Sequence, residues 1–170
     1  LTRKLGPAFA AGCTAVVKPA SQTPFTAIAL AELAYEAGLP PGVLSVVTGD
    51  AGAIGGVLTA SPLIRKLSFT GSTGVGRKLA EQCAGTLKRV SMELGGAAPL
   101  IVFADADLDV AVPMSLRAIF GGNGQVCLSG SRLLVQNSIM EEFLDRFTAE
   151  ARKLVVGDPK NASTFMGPLI

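Results

Sequence analysis

The chain contains no histidine, and that absence removes Ser-His-Asp and Cys-His catalysis at once. Proton acceptors must then be Glu, Asp, Lys or water. Cysteine is scarce: Cys13, Cys83 and Cys127 stand far apart with no Cys-x-x-Cys pair. An odd, sparse set argues against a disulfide framework and against a zinc site, so no metal is expected, and it fits a reducing, cytoplasmic compartment. Charge is also thin. Only 16% of residues are charged, the net charge is +2, and no Lys/Arg run exceeds two residues. That excludes the basic footprint expected of a nucleic-acid binder or of a protein bound to an anionic membrane. The longest charge-free apolar stretch near the start, Pro7 to Val17, is too short to span a bilayer and ends at Lys18. It has no signal-peptide cleavage pattern.

What is present is a core-forming composition. Hydrophobic residues make up 49% of 170, enough for one ordinary domain or parts of two. The chain opens on Leu1, inside a structured stretch, and stops abruptly at Met166-Gly167-Pro168-Leu169-Ile170. It is therefore expected to be an internal fragment.

Strand-like and helix-like stretches alternate, which predicts an α/β fold. Thr14 to Val17 reads as a strand, followed by a helix with Thr23 as N-cap and Pro24 at its first position, running through Ala37 to a stop at Gly38. Then come a strand over Val43 to Thr48, a helix over Ala51 to Ala60 and a strand over Lys66 to Thr70. The loop Gly71-Ser72-Thr73-Gly74-Val75-Gly76 precedes a helix over Arg77 to Ala84, and a strand covers Lys88 to Leu94. A domain boundary is expected near Gly95-Gly96. Beyond it the pattern restarts: a strand Leu100 to Phe103, a helix from about Asp107 to Ile119, and a Gly-rich loop Gly121 to Cys127. A strand Arg132 to Gln136 and a long helix from Ser138 to about Val155 complete it.

Each chemical motif has a plain reading beside a functional one. Gly71 to Gly76 lies between a strand and a helix, where backbone N–H groups can hold a phosphate. As a P-loop it has the glycine spacing, but Arg77-Lys78 stands where Lys-Ser/Thr is needed, and Asp105 is only a generic Walker-B imitation. As a Rossmann fingerprint it lacks the third glycine, because Leu79 stands there. Alone, the loop is as readily a plain turn. Lys18-Pro19-Ala20-Ser21 puts a cation and a hydroxyl at a strand's end, where an open α/β sheet meets a nucleotide, yet by itself it reads as a solvated lysine at a turn. Glu93 closes a strand before two glycines, so it is either a solvated strand end or a base with room beside it. Cys13 and Cys83 read as small buried hydrophobes. Cys127 differs. The Gly-rich, Asn- and Gln-bearing loop before it exposes backbone N–H groups, which favour a thiolate and can stabilise an oxyanion.

Four pieces stand in one order: Lys18-Pro19-Ala20-Ser21, Phe69-Thr70-Gly71-Ser72-Thr73, Glu93-Leu94-Gly95-Gly96 and Gly124-Gln125-Val126-Cys127. In that order the chain resembles the aldehyde dehydrogenase superfamily along its whole length, and within it the bacterial succinate-semialdehyde dehydrogenase-like members. The resemblance implies a Rossmann-like NAD(P)-binding portion over residues 1–95 and the start of a catalytic domain over 96–170. It implies that Cys127 attacks an aldehyde and that Glu93 activates the water that hydrolyses the resulting thioester. It places Lys18 and Ser21 at the adenosine ribose, Gly71, Ser72 and Gly76 at the pyrophosphate loop, the Leu94 backbone at the nicotinamide, and the Cys127 N–H in half of an oxyanion hole. The implied partners are NAD or NADP and a small aldehyde, a semialdehyde among them, in a homodimer or homotetramer. Ser21 stands where NAD-preferring members often carry Glu, so NADP is expected to be accepted or preferred. Gly121 stands where semialdehyde-oxidising members usually carry Arg, Ser129 replaces a second cysteine, and Ala97 a Lys or Asn. The family's oxyanion-hole Asn and the Glu on the nicotinamide ribose would lie outside residues 1–170, so this stretch is expected to have no turnover alone. Two other readings stand beside this one: a P-loop-like nucleotide hydrolase, and a non-catalytic fragment of the same fold.

Overall fold

A computed structural model describes all 170 residues and divides them into two compact units, Leu1–Leu94 and Gly95–Ile170. In the first, α1 (Thr2–Ala10) leads into β1 (Ala15–Val17), α2 (Phe25–Glu36), β2 (Leu44–Val46), α3 (Ala51–Ala60), β3 (Lys66–Gly71), α4 (Thr73–Ala84) and β4 (Arg89–Leu94). In the second, β5 (Ala98–Val102), α5 (Leu108–Phe120), β6 (Gly130–Val135) and α6 (Met140–Ala151) follow one another. The α/β expectation holds.

Every strand pair is parallel and joined through a helix: β1 with β2, β3 with β4, β5 with β6. Parallel strands need such a crossover because the chain must return to the same end. In the β1–β2 register Ala15 stands by Leu44 and Val17 by Val46, so these side chains share one face. That face joins Leu5, Phe9, Leu30, Ala31, Ala34 and Leu39 in the core between the sheet and helices α1 and α2. The opposite face carries Val16 and Val47. In the second unit Val102, Val112, Leu116, Val135 and the fully buried Phe143 form the core, and Phe147 stacks on both Phe120 and Phe143.

Three expectations are corrected. Helix α1 had no counterpart in the sequence reading; it tolerates Pro7 in its interior and ends in a Schellman turn, with Gly12 at φ +73° donating to Phe9 and Cys13 to Ala8. That turn leaves Cys13 exposed rather than buried; Cys83 is buried as expected. Helix α2 starts one residue late, with Pro24 rather than Thr23 in the N-cap place and no side-chain acceptor, and the Thr23 N–H closes a turn back to Ala20. Its stop is as expected: Gly38 adopts φ +93° and the N–H groups of Gly38 and Leu39 close on Tyr35 and Ala34. The third correction concerns Gly71 to Gly76. Only Gly71 and Ser72 lie outside α4; Ser72 is the N-cap, its hydroxyl accepting from the Val75 N–H at 3.4 Å, and Gly74 and Gly76 are helical.

Candidate active site and cofactor site

Strands β1 and β2 end side by side, and the chain beyond each forms the walls of a concavity of about 240 Å³ lined by Lys18, Pro19, Ala20, Ser21, Pro24, Thr48 and Gly49. Lys18 and Ser21 are thus brought together: the Lys18 Nζ donates to the Pro19 carbonyl at 2.9 Å and to the Ser21 Oγ at 3.3 Å. A cation and a hydroxyl held at the carboxyl ends of parallel strands are the groups a ribose or phosphate needs. Thr48 and Gly49 were missed in the sequence, because only the β1–β2 pairing brings them beside Ser21. A second, apolar concavity of about 430 Å³ is lined by Val16, Val47, Ala53, Ile54, Val57 and Leu58, and adjoins the first in sequence at Val47 and Thr48.

The β3–β4 pair orders the next group. Thr70 stands opposite Glu93 and Gly71 opposite Leu94. Gly71 and Gly76 are needed for close packing. A Cβ on Gly71 would lie 2.5 Å from the Phe69 ring, and one on Gly76 would lie 2.5 Å from the Leu94 Cδ2. Gly76 therefore lets α4 press onto the end of β4, the role that the third glycine of a dinucleotide fingerprint has, and it does not belong to a loop. Glu93 is exposed. Beside it lies Lys4, which the sequence reading did not single out: its Nζ donates to the Thr70 Oγ1 at 2.7 Å. Burial holds the Lys4 amino group below its usual range, and the negative charge of Glu93 opposes that shift.

In the second unit Cys127 is exposed and occupies a turn in which the Ser129 N–H donates to the Val126 carbonyl at 2.9 Å. The N–H groups of Cys127 and Leu128 donate to no acceptor within the chain, as an anion-stabilising turn requires. The preceding residues Gly122, Asn123 and Gly124 all have positive φ, at 59°, 59° and 68°. The side chains of half-buried Asn123 and exposed Gln125 both bind residues 167–170.

The geometry defines an α/β protein with a nucleotide-type concavity at its strand ends and an exposed thiol on a turn. Comparison with known proteins narrows that class. The model of the aldehyde dehydrogenase family matches residues 1–170, and the chain belongs to that family. It is 57% identical to the NADP(+) succinate-semialdehyde dehydrogenase GabD of Escherichia coli (strain K12), over 100% of this chain and 35% of that protein. It is 56% identical to a glutarate-semialdehyde dehydrogenase of Pseudomonas aeruginosa, again over 100% of this chain and 35% of the relative. A crystal structure of an NADP-dependent enzyme of E. coli superposes with a TM-score of 0.95 at 57% identity, covering 99% of this chain and 35% of that one. The chain thus spans about 35% of the length of these relatives. The P-loop alternative is overturned: the match is to a different family, and Gly76, the second of the two glycines that a P-loop needs in its loop, is helical. No helix is long and apolar enough to cross a membrane.

Proposed function

We propose that the intact protein carrying this chain oxidises a small aldehyde to its carboxylic acid with NAD or NADP. The observation that carries the reading is the exposed Cys127 thiol, on a turn with free N–H groups, in a chain that belongs to this family. The Cys127 sulfur attacks the carbonyl carbon, and the Cys127 N–H supports the oxygen as it gains charge. A bound nicotinamide would supply the hydride acceptor that this oxidation needs, and the acyl group would then be held on Cys127 as a thioester. Glu93 then takes a proton from a water molecule that attacks the thioester, releasing the acid and restoring the thiolate.

Residues 1–95 supply the cofactor site in this reading and 96–170 begin the catalytic domain. The residues present fit a dinucleotide. Lys18 and Ser21 hold the adenosine ribose in the smaller concavity. The apolar surface of Val16, Val47, Ile54 and Val57 suits the face of an adenine ring. Gly71 and Ser72, at the N-terminus of α4, face the pyrophosphate, with Gly76 fixing the helix against Leu94, whose backbone meets the nicotinamide. Ser21 presents no carboxylate, so a 2′-phosphate is accepted there, which is consistent with the NADP(+) named for the E. coli relative. A semialdehyde is the substrate class that the relatives suggest, in a cytoplasmic homodimer or homotetramer.

The test is paired. Cys127→Ala should abolish aldehyde oxidation, whereas Glu93→Gln should give one burst of reduced cofactor per site and then little turnover. Oxidation retained in Cys127→Ala overturns the reading, and leaves the non-catalytic use of the fold as the better account.

A further inference from the structure

We infer that Asn123 is a positioning residue for the nucleophile, its carboxamide tying the segment Gly167–Ile170 to the loop that delivers Cys127. The inference rests on Cys127 being the nucleophile. Its grounds lie in how little else holds that thiol. Cys127 is exposed, and the only hydrogen bond closing its turn runs between Val126 and Ser129. Its place is therefore inherited from residues 122–125.

Those residues have an unusual backbone. Gly122, Asn123 and Gly124 lie in succession in the left-handed region, and Asn123 is the one that carries a side chain. The outer two are confined to glycine by contact as well. A Cβ on Gly122 would meet the Val126 Cγ2 at 2.8 Å, and one on Gly124 the Ile119 carbonyl oxygen at 3.1 Å. Glycines alone would leave this path loose, since they adopt many others as readily. Asn123 closes it. Its Nδ2 donates to the Pro168 carbonyl at 2.9 Å and its Oδ1 accepts from the Gly167 N–H at 3.1 Å. Gln125 adds a third tie, its Oε1 accepting from the Ile170 N–H at 3.2 Å. A carboxamide is required at 123, because it offers a donor and an acceptor on one planar group. A carboxylate of the same shape would keep the Gly167 bond but set a negative oxygen against the Pro168 carbonyl.

Asn123→Gly and Asn123→Asp in the intact protein test this. The glycine variant can keep the left-handed backbone without strain, so it removes the ties and leaves three successive glycines free to depart from that path, whereas the aspartate variant weakens the ties without adding backbone freedom. Two readouts are taken: alkylation of Cys127 by iodoacetamide as a function of pH, with exposed Cys13 as internal reference and no aldehyde or cofactor present, and the burst rate of cofactor reduction against cofactor affinity. For Asn123→Gly the burst rate should fall tenfold or more with cofactor affinity unchanged, and the Cys127 alkylation profile should shift while that of Cys13 does not. Asn123→Asp should fall between it and the parent, and reads the same effect should the glycine variant fail to fold. Parent-like burst rates and alkylation profiles in the folded variants overturn the positioning role. Because alkylation needs no turnover, that failure is distinct from failure of the dehydrogenase reading, which Cys127→Ala decides.

Discussion

Two single positions bear on cofactor and substrate choice, and both have room to be changed. Ser21 is exposed, and its hydroxyl accepts from Lys18. A glutamate there would pair with the same ammonium and set a carboxylate where a 2′-phosphate would sit. Two unit charges about 4 Å apart repel by about 4 kcal/mol at an effective dielectric of 20, and solvent screening at an exposed site brings this nearer 1 kcal/mol. Ser21→Glu should therefore lower kcat/KM with NADP relative to NAD fivefold or more; unchanged selectivity rejects the ribose assignment. Gly121 is the second position. Its φ is −58°, open to any residue, and a Cβ built there meets nothing within 4 Å. Gly121→Arg thus places a cation beside the Cys127 loop without strain. One charge-assisted contact with a substrate carboxylate contributes about 1.5–3 kcal/mol. KM for succinate semialdehyde should drop about tenfold or more, with KM for an uncharged aldehyde of similar length unmoved. Equal shifts for both aldehydes would mean that the position does not face the substrate's carboxylate.

At the scale of elements, the approach of α4 to β4 is the most sharply testable. Both Gly74 and Gly76 sit in the first turn and a half of α4, where alanine would raise helix propensity by about 1 kcal/mol. Gly74 has open space around it, so Gly74→Ala should stabilise by that amount. At Gly76 three atoms of Leu94 stand in the way, with Cδ2 at 2.5 Å, Cδ1 at 3.2 Å and Cγ at 3.4 Å, so rotating one methyl does not clear the clash. Overpacking of this kind costs about 1–3 kcal/mol, which exceeds the propensity gain. Gly76→Ala should lower Tm, and in a Leu94→Ala background the same substitution should raise it. The absence of that sign reversal in thermal melts would show that the glycine is not there for packing. This case also marks how far the sequence could be read. Helix α3 over Ala51–Ala60 was legible because its bounds depend on local chemistry, with Asp50 accepting from the Ala53 N–H. Locally the glycines of α4 read as a loop, because their cause is Leu94, which no local pattern reveals. Helix α1 was missed because Gly6-Pro7 reads as a breaker. Yet Pro7, in the sixth position of a nine-residue helix, loses the hydrogen bond to the Arg3 carbonyl and crowds that carbonyl with its ring, and the burial of Leu5 and Phe9 in the core offsets this. At the site, Lys18, Ser21, Glu93 and Cys127 stood out as residue types in local motifs. Lys4, Thr48, Gly49 and the partners of Asn123 did not, since only tertiary folding brings them into place.

Over the whole molecule, surface is the decisive quantity. The chain exposes 11567 Å², whereas two fully separate compact domains sharing its 17.3 kDa would expose about 9,400 Å². The excess of roughly 2,000 Å² is thus independent of how the two units sit, and much of the exposed area is apolar. Phe25, Val57, Leu63, Val156 and Phe165 are exposed, as are Val16 and Val47 on the uncovered side of the β1–β2 pair. Each sheet has only two strands, so each strand also offers one edge of unpaired N–H and C=O groups. Apolar patches and open edges on this scale are covered in stable proteins by further chain or by another subunit. Residues 1–170 expressed alone should therefore bind a hydrophobic dye strongly and grow in apparent mass with concentration, and they should show no aldehyde oxidation even with the Cys127 thiol intact. The intact protein should bind little dye and hold a constant mass. A 170-residue chain that stays monomeric and dye-silent at tens of micromolar would mean that these surfaces close on themselves. In that event Val16, Val47 and the strand edges could not be counted as contact surface in the intact protein.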